Sequence, residues 1–242
     1  QVFDAKVTEP FVADILIDQT HSHRLWVTQQ RDGKITDIGD LPPAPAALTI
    51  NASESIIFPG QFLVVDGWKP GSKLSDQQVG DLLARGTTTA ICLVNLADRE
   101  AVDAMATPQT MPINWAFVGN ADSTDKLSGT ELLERLAVAA NNGMLAVVSA
   151  GADETLWRYI SELGLTLLKP KQLPSSAPSN FQDAAKQSWA TSNALKLQMR
   201  RGQINRDFAA DLIFVTVPET GVAAGAIDWT QLNRVMVAGE TV

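Results

Sequence analysis

At 242 residues, with 45% hydrophobic and 19% charged side chains, the chain can bury a sizeable core without a metal or disulfide. A formal net charge of -8 repels phosphates, which argues against nucleic-acid and anionic-membrane partners. The single cysteine, Cys92, excludes an internal disulfide, and no apolar stretch approaches the ~20 residues that span a bilayer, so the protein is expected to be soluble. The chain starts at Gln1 rather than Met, so a preceding segment is read as removed or not shown. The compartment stays open, with the cytoplasm the favoured reading.

The first 50 or so residues read as all-β. Segments 13–18 and 25–30 carry strand-type patterns, and Asp32-Gly33 leads from the second into 34–39, a hairpin signal because both turn positions favour positive φ. Pro42, Pro43 and Pro45 interrupt any strand, and 47–52 is a further short one. From about residue 56 the rhythm changes. Strand-length apolar runs at 62–65, 87–95, 113–119, 144–149 and 165–168 alternate with helical patterns at 76–85, 99–105, 129–141 and 153–163, the order of a parallel sheet buried on both faces. Ser128 and Glu131 have capping-box spacing ahead of Leu132, Leu133 and Leu136. After a Pro/Ser-rich loop at 170–180 come a helix over 181–199 and a return to β character at 210–217 and 234–239. Similar ends around a different middle imply an α/β unit inserted into a sandwich made from both termini.

Four stretches then carry a family likeness. They are Arg31-Asp32-Gly33-Lys34-Ile35-Thr36-Asp37-Ile38-Gly39; Asn51 through Ile56-Ile57-Phe58-Pro59-Gly60; Leu83-Ala84-Arg85-Gly86-Thr87-Thr88-Thr89; and Ala190-Thr191-Ser192-Asn193-Ala194-Leu195 followed by Arg201-Gly202-Gln203-Ile204 and Ala210-Asp211-Leu212-Ile213. In this order the chain resembles the amidohydrolase superfamily, in particular the urease α-subunit, dihydropyrimidinase and D-aminoacylase type. The resemblance implies a β-sandwich wrapped around a TIM barrel. A full barrel takes about 250 residues, so the implied fold is α/β: a shortened, incomplete TIM-like parallel barrel or open sheet over residues 56–204. It is inserted in a small composite β-sandwich of residues 1–55 plus 205–242.

The resemblance also implies one or two metal ions, held by barrel histidines, an aspartate and often a carbamylated lysine, that polarise a carbonyl and activate water. The paired histidines of the family fall near Val65 and Gly67 here. With Asp66 placed on the family aspartate, they fall on Trp68 and Pro70. None of these offers a divalent ion an imidazole. His21 and His23, the only histidines, map to the hairpin region of the sandwich and read as solvent-exposed loop residues. Cys92 falls three residues short of the metal-bridging cysteine of D-aminoacylase relatives, where Asn95 stands, and reads as a buried, inert thiol.

Candidates for residual chemistry are Asp66 and Asp122, together with Lys169 as a mimic of the bridging lysine. Asp98 and Asp125 also follow strands, where loop capping is the ordinary role of aspartate. Trp68, Asn95, Trp115 and Asn120 are candidates for ligand binding; the two tryptophans, predicted near strand ends, could form an apolar wall, with core packing their ordinary role. Lys169 with Lys171, and Arg200 with Arg201, read as solvated faces. The expected protein is amidohydrolase-like and lacks the metal centre, a pseudoenzyme serving as scaffold, partner or ligand binder. The alternative is a hydrolase acting on non-peptide carbon–nitrogen bonds of a small amide, with a repurposed or zinc-dependent site. An unclosed parallel sheet leaves edges that need cover, which points to a homo-oligomer or a partner chain.

Overall fold

The computed structural model describes residues 9–16, 22–29, 33–39, 50–107, 111–122, 124, 127–151, 154–197, 201–216 and 226–242. Asp32 of the expected hairpin turn, the proline-rich 41–45, His21, Asp125 and Arg200 lie outside them.

Seven strands form a first sheet. They are β1 (Glu9–Leu16), β2 (Ser22–Gln29), β3 (Ile35–Gly39), β4 (Ile50–Pro59), β10 (Leu212–Thr216), β11 (Leu232–Val237) and β12 (Glu240–Thr241), in the order β12-β11-β10-β4-β1-β2-β3. Both ends of the chain therefore contribute to it. All neighbours are antiparallel except β1 and β4, and His23 pairs with Ile15 inside the β1–β2 ladder. The sheet turns back on itself beyond β3: Ile35 N donates to Phe208 O (2.8 Å), Asp207 N to Ile35 O (2.8 Å) and Ala210 N to Gly33 O (2.7 Å). Gly33, at φ +71, lies so close to the Ala238 carbonyl that no side chain fits there.

The inserted unit is a half-barrel of five parallel strands in sequential order: β5 (Gln61–Val64), β6 (Thr87–Asn95), β7 (Asn114–Asn120), β8 (Met144–Val148) and β9 (Thr166–Leu168). Helices α1 (Asp76–Leu83), α2 (Arg99–Ala104), α3 (Gly129–Asn141) and α4 (Glu154–Glu162) connect them, and α5 (Phe181–Ala194) follows β9. The sequence sets each start locally. Ser75 with Gln78, and Ser128 with Glu131, form reciprocal capping boxes, while Asp98 caps α2 and Asn180 caps α5. The last helix ends at Ala194, short of the expected 199, because Lys196 takes φ 56 and Leu197 N donates back to Ser192 O.

Each face of the parallel sheet has its own core. On the helix side, Leu63, Ala90, Cys92, Phe117 and Val147 meet Val79, Val102, Leu136 and Ile160. On the other side, Phe62, Ile91, Ala116, Val118, Ala146 and Val148 meet Leu173 and Leu195, so the end of α5 fills part of what would be the barrel interior. The start of α5 packs on the other sheet, with Phe181 edge-on to Phe58 at 5.3 Å. One residue joins the two sheets: β4 ends at Pro59, β5 begins at Gln61, and between them Gly60 receives the Ser188 hydroxyl at its carbonyl (2.7 Å) while its N–H reaches Asp211 O (2.8 Å). A Cβ at Gly60 would overlap the Thr88 side chain, which explains the glycine after Pro59.

The β5 edge of the half-barrel is partly covered by the chain itself. Val64 N donates to Pro174 O (2.9 Å) beside β5, and Lys196 Nζ donates to Gly164 O (2.9 Å) ahead of β9. Among the described residues no helix is long and apolar enough to cross a membrane.

Candidate functional site

The C-terminal ends of parallel strands are where such folds place their sites, and here they open into a cleft of about 590 Å³. Val64, Leu93, Val148 and Leu173 make its apolar walls. Asp66, Asn120, Asp122, Lys171 and Ser175 bring the polar groups. Three sequence candidates, Asp66, Asn120 and Asp122, thus meet in one cleft.

Their environments differ. Asp122 Oδ1 accepts from Ala150 N (2.7 Å) and Ser149 Oγ (3.3 Å), so this carboxylate fastens the turn after β8. Asn120 Oδ1 accepts from Asp122 N (2.9 Å) and shapes the turn after β7. Asp66 is exposed in the turn after β5, where Gly67 has φ +72.

The other candidates lie elsewhere. Asn95 pairs in register with Asn120, but its Oδ1 accepts from Ala97 N (3.0 Å) and it does not line the cleft. Lys169 is exposed at the start of a short 3-10 turn, and its backbone N–H goes to Gln172 Oε1 (2.6 Å). Trp68 is 5% exposed on the helix side, stacked near Phe117 at 6.4 Å, with its indole N–H on Ser72 O (3.1 Å). Trp115 sits at the opposite end of β7. Lys171 and Ser175 are the residues that reading the sequence missed. Lys171 was visible only as a surface lysine in a Pro/Ser-rich loop, and nothing local places that loop across β5.

The donor set does not fit the metal centre the resemblance implies. The strand ends that would carry it bear Val64, Asn95, Asn120 and Val148, one carboxylate is taken up by a turn, and no group of three His, Cys, Asp or Glu side chains clusters among the described residues. Cys92 supplies no thiolate. Its thiol donates to Trp68 O (3.1 Å), and burial pushes it up to about 12.

The N-terminal end of the sheet carries a different polar group. Asp211, 4% exposed, accepts from Arg201 Nη1 (Oδ2, 2.6 Å), Asn114 Nδ2 (Oδ1, 3.1 Å) and Ala238 N (Oδ1, 2.7 Å). It ties β7, the segment after α5 and the β11–β12 turn together. Arg201 is therefore not the solvated residue the sequence suggested, because a buried carboxylate needs a counter-charge.

The chain is thus a composite β layer interrupted by a parallel half-barrel, with a cleft at the strand ends. No family model and no curated protein matches the sequence. Solved structures do match. A Xaa-Pro dipeptidase with bound methionine aligns at a TM-score of 0.60 and 10% identity over 97% of this chain and 99% of its own. An N-acetyl-D-glucosamine-6-phosphate deacetylase from Mycobacterium smegmatis aligns at 0.59 and 12% over the same shares. A β-aspartyl dipeptidase from Fervidobacterium islandicum AW-1 aligns at 0.53 and 11%, over 97% and 96%. At these identities the likeness is one of fold alone.

Proposed function

We propose that the chain is a non-catalytic amidohydrolase-like protein that holds a small amide in the cleft over β5, β7 and β8. One observation carries the reading: where the superfamily needs metal ligands, apolar side chains surround a single uncommitted carboxylate, Asp66, while Asp122 is bound to the turn after β8. Apolar walls with a few polar groups suit recognition of a small molecule. An amide N–H can donate to Asp66, its carbonyl can accept from Lys171, and its carbon body can lie on Leu93 and Val148.

Ligand-observed NMR against hydantoin, dihydrouracil and N-acetyl amino acids tests this, alongside product analysis with and without added zinc. The expected result is binding by at least one of these, weakened several-fold in Asp66→Asn, with no product formed. Zinc-dependent turnover abolished by Asp66→Asn or Asp122→Asn overturns the reading in favour of a hydrolase of non-peptide carbon–nitrogen bonds. Absence of binding, with a dimer or larger species by light scattering, overturns it in favour of a scaffold.

A further inference from the structure

Among the described residues, Asp66-Gly67 and Asn142-Gly143 each set a side-chain carbonyl carbon beside the backbone nitrogen of a glycine. Such pairs can close a five-membered succinimide ring, because glycine has no Cβ to hinder the attack. Closure also requires that the glycine nitrogen be free to move, and the fold treats the two pairs differently.

Asn142 ends α3 with its reacting groups held. Gly143 N donates to Ala140 O (3.1 Å), Asn142 N to Val138 O (3.0 Å), and the part-buried Asn142 Nδ2 to Val102 O (3.3 Å). Ring closure there must break a bond on the attacking nitrogen and another on the leaving amide. Asp66 and Gly67 instead form the middle of a turn that Trp68 N closes on Val65 O (3.4 Å), with Gly67 at φ +72, as in a type II turn. The peptide between them takes no part in that bond. Both residues are exposed, nothing lies within 4 Å of the place a Cβ of Gly67 would occupy, and the Gly67 N–H makes no hydrogen bond to the described residues.

We infer that Asp66 is a site of spontaneous isoaspartate formation in the folded protein. The Gly67 nitrogen bonds to Cγ of the protonated Asp66 carboxyl, and its proton leaves with the carboxyl hydroxyl as water. Water then adds to the ring, and opening at the main-chain carbonyl gives isoaspartate, so the two steps neither gain nor lose atoms and need no oxidant. The main chain lengthens by one methylene and the free carboxylate ends on Cα. Asp66 lines the cleft, so this slow change withdraws a carboxylate from it, whatever the cleft binds. The inference does not rest on the function proposed for the cleft.

The wild-type chain, aged at neutral pH either folded in buffer or unfolded in guanidinium chloride, tests this through peptide mapping with electron-transfer fragmentation, which assigns isoaspartate to a residue. Folding is expected to slow isomerisation at Asp66 no more than about twofold and to slow isoaspartate formation at Asn142 by roughly tenfold or more, since the held pair must first open. Asp66→Glu, which would need a six-membered ring, is expected to give no such product at this position. The inference is overturned if the folded chain forms no isoaspartate at Asp66, if folding slows Asp66 as much as Asn142, or if the signal assigned to Asp66 persists in Asp66→Glu.

Discussion

The N-terminal end of the parallel sheet buries its carboxylate, Asp211, under three donors from three separate parts of the chain, whereas the C-terminal end leaves Asp66 exposed and gives Asp122 partners in one neighbouring turn. The first arrangement couples two sheets, and the second couples one turn to the next. In barrels of this kind the N-terminal end carries stability and the C-terminal end carries the site. The half-barrel shows the same division: its N-terminal end is buried and cross-linked, and its C-terminal end is an open cleft.

Substitutions at the two ends should therefore differ in cost. Asp211→Ala strands Arg201, the Asn114 amide and the Ala238 N–H, and should lower unfolding free energy by about 3 to 4 kcal/mol in urea titrations. A loss below ~1 kcal/mol would erase the contrast.

The layer between the ends can be read through pH. Unfolded, the Cys92 thiol ionises near 9.0; folded, it keeps its proton to about 12. Between those values the unfolded chain has released a proton that the folded chain still binds, so stability present below pH 9 falls as pH rises. The loss should reach about 2 to 3 kcal/mol by pH 11. Chemical denaturation from pH 8 to 11 should show this slope in the wild type and lose it in Cys92→Ala.

Gly60→Ala should cost about 2 kcal/mol, since the new methyl overlaps Thr88 where the two sheets meet. Thermal unfolding would show it. At the C-terminal end, Asp122→Ala should cost about 1 kcal/mol, through the released Ala150 N–H and Ser149 hydroxyl. Asp66→Asn should stay within ~0.5 kcal/mol. If Asp66→Asn proved as damaging as Asp211→Ala, the C-terminal end would be structural and not a site.

Much of the half-barrel was legible because its signals are local. Ser75, Asp98 and Ser128 start helices through bonds made within three residues, and Gly86 and Gly143, at φ +68 and +90, mark turns ahead of strands. The composite sheet was legible only in outline. Ile56-Ile57-Phe58-Pro59 is apolar on both faces, so nothing in it says that it belongs with β10 while Gln61, two residues past Pro59, belongs with β6. Strand pairing is long-range, as is the partnership of Asp211 with Asn114, 97 residues away. In the cleft, Asp66, Asn120 and Asp122 stand at or just after the ends of β5 and β7. The sequence could not show that Asp122 would be taken up by Ala150, 28 residues on.

The pairing of β4 with β10 also bears on how the chain can assemble as it is made. Ile57 must wait for Phe214, its ladder partner, until most of the chain has left the ribosome. The parallel sheet has no such delay, because β5 to β9 pair in the order they emerge. The insert can gain structure first and then hold Gly60 and the segment after α5 close together. That closes most of the long loop before the two ends of the chain meet, which lowers the entropic cost of their pairing.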